Sequence, residues 1–161
     1  MHGGGSPSTG TRRNQKEKKL APASHASRSV VACVGSWGFR VPMPRILVVD
    51  DDPDILETLE IALGGSHDVI AARDGLDALE RLERAGSVDL VLLDLMMPHM
   101  SGSDLLRELR ARGLAVPVIL VSASHDVRAQ AEQLHADGYV AKPFSLRALR
   151  DEIASVLARR S

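Results

Sequence analysis

The sequence predicts an α/β fold, a doubly wound parallel sheet of five strands with helices on both faces, and three observations carry that expectation. Strand-like and helix-like patterns alternate five times from Arg45 onward, the order that builds a parallel sheet by crossover connections. The run Val88–Leu95 is apolar on both faces, as a strand in the middle of such a sheet must be. That run delivers Asp94 to its end, before Met97-Pro98 stops it. Polar residues also stand where the other strand runs stop, at the carboxyl edge where open α/β sheets bind ligands.

The elements follow in order. Ile46–Val49 reads as the first buried strand. Asp52-Pro53 then supplies a cap and a first-turn proline for a helix with Ile55, Leu56, Leu59, Ala62 and Leu63 on one face, which Gly64-Gly65 ends. Val69–Ala72 is the second strand, and Asp74-Gly75 opens a helix carrying Leu76, Leu79 and Leu82. The third strand is the Val88–Leu95 run. Ser101 with Asp104 three residues on resembles a capping box, and Leu105, Leu106 and Leu109 give the next helix its apolar stripe. Val116–Val121 is the fourth strand, with Pro117 near its start. A weaker helix runs from about Asp126 to His135, and Tyr139–Ala141 is a short fifth strand. Ser145 caps a last helix whose Leu146, Leu149, Ile153, Val156 and Leu157 keep helical spacing.

The 161 residues suit one domain, placed at 44–160. Residues 1–42 read as a disordered basic leader, rich in Gly, Ser, Pro and Thr. Arg12-Arg13 and Val30–Cys33 resemble pieces of export signals, but the apolar region such signals need is missing. Met43 offers an alternative start, which would make the upstream residues a mis-assigned beginning. Charge divides at the same place: 1–42 carry seven Lys+Arg against one Glu, a net of +6, and 43–161 carry thirteen against twenty Asp+Glu, a net of −7. An acidic domain argues against direct nucleic-acid binding. No apolar run approaches the roughly 18 residues of a membrane span, and the single cysteine, Cys33, allows no internal disulfide and fits a reducing compartment. A cytoplasmic protein is expected.

The polar strand ends point to chemistry. Asp50 and Asp51 follow strand one, Asp94 strand three, Ser122 strand four and Lys142 strand five. Were strands one and three neighbours, three carboxylates would converge, an arrangement that makes physical sense around Mg2+, a hard cation that takes oxygen ligands. A metal beside a carboxylate suits phosphoryl transfer with Asp94 as nucleophile. Ser122 could donate a hydrogen bond to a phosphoryl oxygen and Lys142 supply a cation.

Val48-Val49-Asp50-Asp51, Asp94 through Met97-Pro98 and Gly102, Val121-Ser122-Ala123, and Gly138 through Lys142-Pro143-Phe144 together resemble the response-regulator receiver domain of two-component signalling, in its stand-alone form. The resemblance spans about residues 44–160. It implies a flavodoxin-like strand order, 2-1-3-4-5; a member of this family is itself a standard illustration of that order, so the order is not read from the pattern. It further implies Asp94 as phosphoacceptor, Asp51 as a direct Mg2+ ligand, Asp50 acting mainly through metal-bound water, the Met96 carbonyl as a further ligand, and a cis bond between Lys142 and Pro143. Ser122 and Tyr139 would couple phosphorylation to a surface of the fourth helix, fifth strand and fifth helix. The donor would be a sensor histidine kinase or a histidine phosphotransfer protein. Since the sequence stops just after the last helix, the signal is expected to leave through a separate protein, whose identity the sequence does not give.

Plainer readings compete residue by residue. Asp52 reads as a helix cap, Ser122 alone as a turn hydroxyl, and Tyr139 equally as a core strand aromatic. Met96, Met97 and Met100 read as packing residues, and His67, His99, His125 and His135 show no metal-ligand spacing. A lone lysine is normally solvated, yet Lys142 is the single lysine in 43–161 against twelve arginines. Two other functional classes stand beside the receiver. A haloacid-dehalogenase-type aspartyl-phosphate hydrolase resembles an Asp-x-Asp pattern, but here Met96 takes the second position. A receiver-like interaction module working without phosphorylation is opposed by the intact acidic set with Ser122 and Lys142.

Overall fold

The computed structural model describes residues 43–160, so the expectation for the leader 1–42 lies outside the described residues. The elements alternate as β1 (Arg45–Val49), α1 (Pro53–Leu63), β2 (Asp68–Ala72), α2 (Gly75–Ala85), β3 (Leu90–Asp94), α3 (Gly102–Ala111), β4 (Val118–Ser122), α4 (Val127–Gln133), β5 (Gly138–Ala141) and α5 (Leu146–Ala158). All pairings are parallel and the order is β2-β1-β3-β4-β5, as the resemblance implied.

Burial follows strand position. β3 and β4 are buried at every residue, β2 at one edge is mostly half-buried, and β5 at the other alternates buried and exposed. This explains the unbroken apolar runs of the inner strands. Successive side chains of a strand point to opposite faces, and they feed two separate cores. Leu47, Val49, Val91, Leu93 and Leu120 pack with α2, α3 and α4. Ile46, Val48, Leu90, Leu92 and Ile119 pack with α1 and α5. Truncating a fully buried leucine such as Leu93 to Ala would cost about 2–5 kcal/mol.

Helix starts match their sequence signals. The Asp52 side chain accepts from the Asp54 N–H, Asp74 from Asp77, Ser101 from Asp104 and Ser145 from Ala148. Gly64 ends α1 as the sequence suggested, with right-handed backbone at φ −60°. Four expectations need correction. Leu76 is 58% exposed, because Gly75, Ala78 and Leu79 take the inner face of α2. β4 begins at Val118, after Pro117, and runs one residue further to include Ser122. α4 is shorter than the pattern suggested and has no side-chain N-cap bond. Met96 is 72% exposed, whereas Met97 is buried and Met100 packs on the core.

Candidate functional site

Strand order brings the acidic residues together. β1 and β3 are neighbours, so Asp50 and Asp51, just past β1, meet Asp94, the last residue of β3. One oxygen from each of the three carboxylates lies within 4.8 Å of the others. Asp50 and Asp94 are buried and Asp51 is exposed. Asp50 is fully engaged: Oδ1 accepts the Asp52 N–H at 3.0 Å and Oδ2 accepts from Lys142 Nζ at 2.7 Å. Asp51 makes no side-chain hydrogen bond or ion pair with any described residue.

Lys142 arrives from the far edge of the sheet. Its backbone N–H donates to the Ser122 carbonyl at 2.8 Å, and the peptide to Pro143 is cis. From there Nζ reaches across β4 to Asp50 and lies 3.5 Å from Asp94 Oδ2. Burial alone would lower the Lys142 pKa, but the hydrogen bond and charge of Asp50, with those of Asp94, outweigh it and hold the ammonium above its ordinary value. At Asp94 burial is the largest effect and raises the carboxyl pKa. Lys142 and the Met96 N–H, at 3.3 Å from Oδ1, pull it down, Asp50 pushes it up, and the net result stays above the ordinary value.

Ser122 is fully buried at the end of β4, and its hydroxyl accepts the Ser124 N–H at 3.2 Å. The turn reading therefore holds for the oxygen, and among the described residues the hydroxyl proton has no acceptor. Tyr139 is 40% exposed on the outward face of β5, which removes the reading as a core aromatic. Met96 has its side chain in solvent and its N–H on Asp94.

Gly102 is a site residue whose role was not worked out from the sequence. A Cβ there would collide with the Asp94 carbonyl oxygen and come within 2.9 Å of the Leu95 Cα. Only glycine lets α3 start this close to β3, with its N–H donating to the Leu95 carbonyl at 3.2 Å. Spacing gave a signal, since Gly102 follows the capping serine, but the collision is visible only in three dimensions.

Three clustered carboxylates with one ammonium leave excess negative charge, and an all-oxygen set of this kind fits Mg2+. Comparison with known proteins agrees. Residues 46–154 match the model of the response regulator receiver domain. The chain belongs to that family. Sensory transduction protein RegX3 of Mycolicibacterium smegmatis is 42% identical over 120 residues, covering 73% of this chain and 52% of RegX3. The alkaline phosphatase synthesis transcriptional regulatory protein PhoP of Bacillus subtilis is 36% identical over 118 residues, 71% of this chain and 49% of PhoP. The chain thus spans about half the length of the curated relatives it matches. Among solved structures, the Francisella response regulator 1452 receiver domain superposes with a TM-score of 0.67 at 31% identity, covering 73% of this chain and 99% of that one. The response regulator TrrA of Thermotoga maritima, in complex with Mg2+-BeF, does so with a TM-score of 0.64 at 35% identity over 71% of this chain and 99% of TrrA. Receivers of this family are phosphoacceptor domains of two-component signalling, not enzymes in the usual sense. Among the described residues, no helix is long and apolar enough to cross a membrane.

Proposed function

We propose that residues 44–160 form a phosphorylatable receiver that accepts a phosphoryl group on Asp94 from a sensor histidine kinase or a histidine phosphotransfer protein in the cytoplasm. The carrying observation is a buried carboxylate at a strand end, 3.5 Å from the one lysine of the domain and grouped with two further carboxylates. An Asp94 oxygen attacks phosphorus in line. The O–P bond forms as the donor's N–P bond breaks, and the departing imidazole keeps the electron pair and takes up a proton. Lys142 is placed to meet a phosphoryl oxygen, and Ser122 has its hydroxyl proton to donate to another.

Asp51, Asp94 and the Met96 carbonyl would hold Mg2+ directly. Asp50 would act mainly through water, since both its oxygens already accept protein hydrogen bonds. Bound there, the ion would draw charge from the phosphoryl oxygens, and TrrA's complex with Mg2+-BeF supports Mg2+ as the ion. Output runs through protein contacts. Ser122, drawn toward a phosphoryl oxygen, would vacate space beside β5 that the half-exposed ring of Tyr139 would turn in to fill, altering the α4, β5 and α5 surface offered to a downstream protein.

Intact-mass measurement after incubation with acetyl phosphate tests the reading. One phosphoryl group is expected on the wild type with Mg2+, and none in chelator or on Asp94→Asn. Equal labelling of the variant removes Asp94 from its role.

A further inference from the structure

The amino end of the sheet holds a groove that the phosphoacceptor site does not use. It encloses about 580 Å³ and is walled by Leu79, Leu82, Val88, Leu114, Val116 and Pro117, a size and apolar character typical of binding sites, which run from about 300 to 1,000 Å³. The charges on its rim are already partnered. Arg112 is held by Glu108 and Glu83 at 2.7 and 2.9 Å, Arg160 donates to the Ala115 carbonyl at 2.6 Å, and Asp89 accepts the Arg45 N–H at 2.7 Å. The groove therefore calls for an occupant that is apolar and nearly uncharged.

We propose that this occupant is the segment 30–42 of the same chain, with Trp37 and Phe39 as its anchors. The first argument is position. The Arg45 guanidinium grips the Ala85 and Ser87 carbonyls, and Ser87 and Asp89 line the groove, so β1 begins at the rim. Trp37 lies eight residues before Arg45, and at roughly 3.5 Å per extended residue it reaches any point within about 28 Å. The second is composition. Unlike residues 1–28, the segment carries Val30, Val31, Val34, Trp37, Phe39 and Val41 with Arg40 as its one charge, including two of the four aromatic residues in the chain. Such side chains gain most by leaving water. The third is charge: residues 1–29 carry +5 and residues 43–161 carry −7, so the stretch preceding the segment is drawn to the acidic domain and holds the segment near it, while the segment itself adds only Arg40. A smaller hollow of about 260 Å³ beside Met43 is closer to the segment, but Glu60, His67 and Asp68 line it, a poor match for an indole.

Trp37 is the only tryptophan, so the emission of the full chain reports on this contact alone. Emission of the native protein is expected to be blue-shifted and shielded from acrylamide relative to the same protein in denaturant. Leu114→Glu, which puts a charge in the groove wall, should shift it back to the red, and Ile61→Glu on the exposed face of α1 should not, with circular dichroism showing both variants folded. On the unsubstituted chain, nuclear Overhauser contacts are expected between the Trp37 indole and the Leu82 or Leu114 methyls. A hydrated native emission, or the absence of those contacts, overturns the proposal. So does shielding that vanishes on dilution, which would assign the groove to the segment of a second copy.

Discussion

The two ends of the sheet carry the same residue type under opposite conditions. At the amino end the strand-edge aspartates are compensated. Asp68 takes the Arg45 guanidinium at 2.8 Å, and Asp89 takes the Arg45 N–H at 2.7 Å. Asp137 takes the Val118 N–H at 2.9 Å and stands between Arg160 at 3.4 Å and Arg110 at 3.6 Å. At the carboxyl end three aspartates cluster beside one lysine, which pairs with only two of them, Asp50 and Asp94. Backbone N–H groups meet aspartates at both ends, so the difference lies in the cations: arginines match the aspartates at the amino end, whereas the aspartates outnumber the one lysine at the carboxyl end. The fold thus keeps its uncompensated charge at one edge, where function commonly costs some stability.

Removing the cation from each end should separate them most. Lys142→Met strands Asp50 and Asp94 in a buried setting, and should destabilise the protein by about 3 kcal/mol in chelator, the low end for a broken buried pair because the lysine is partly exposed. Urea unfolding with and without Mg2+ measures this, and much of the loss should return with the ion, which stabilises the native state by binding it. A loss that Mg2+ leaves untouched would mean that the lysine packs and does not neutralise.

Removing an anion from the carboxyl end should go the other way. Burial holds the Asp94 pKa above its unfolded value, so the stability linked to this group is fully present below the unfolded pKa and is lost as pH rises through the folded one. At neutral pH the ionised carboxylate is therefore a burden, and Asp94→Asn should raise stability in chelator by on the order of 1 kcal/mol. The gain should narrow as pH falls toward the unfolded pKa. Excess Mg2+ should reverse the ranking, because the wild type offers more ligand charge. Melting temperatures between pH 4 and 7 decide it; a variant less stable than the wild type in chelator at neutral pH would contradict the crowding of charge.

The smallest effect is expected at the amino end. Arg160 is about half exposed, and Arg160→Gln should cost less than about 1 kcal/mol, decreasing with salt. A loss that matches Lys142→Met and resists salt would erase the contrast between the ends.

The legible parts of this molecule are those written locally. Apolar runs, four capping side chains and the polar residue closing each strand could be read directly, and they placed Asp50, Asp51, Asp94, Ser122 and Lys142 on one edge. What could not be read depends on distant pairing. Arg45 meets Asp89 across 44 residues and Lys142 meets Asp50 across 92, and no short motif encodes such partners. Leu76 and Met96 look like packing residues by type, yet the helix phase of one and the loop position of the other turn them into solvent. The need for Gly102 comes from how closely a helix approaches a strand, which spacing alone does not reveal.

The position of Lys142 also makes the domain unusual as a reagent target. Residues 43–161 contain this one side-chain amine, and two carboxylates keep it protonated and screened. An acylating reagent therefore finds no competing lysine in the domain and a slow one at its centre. An event that draws Asp50 and Asp94 away from the ammonium without supplying another anion frees that amine, whereas a phosphoryl oxygen in their place keeps it slow, so its acylation rate tells an emptied carboxyl edge from an occupied one.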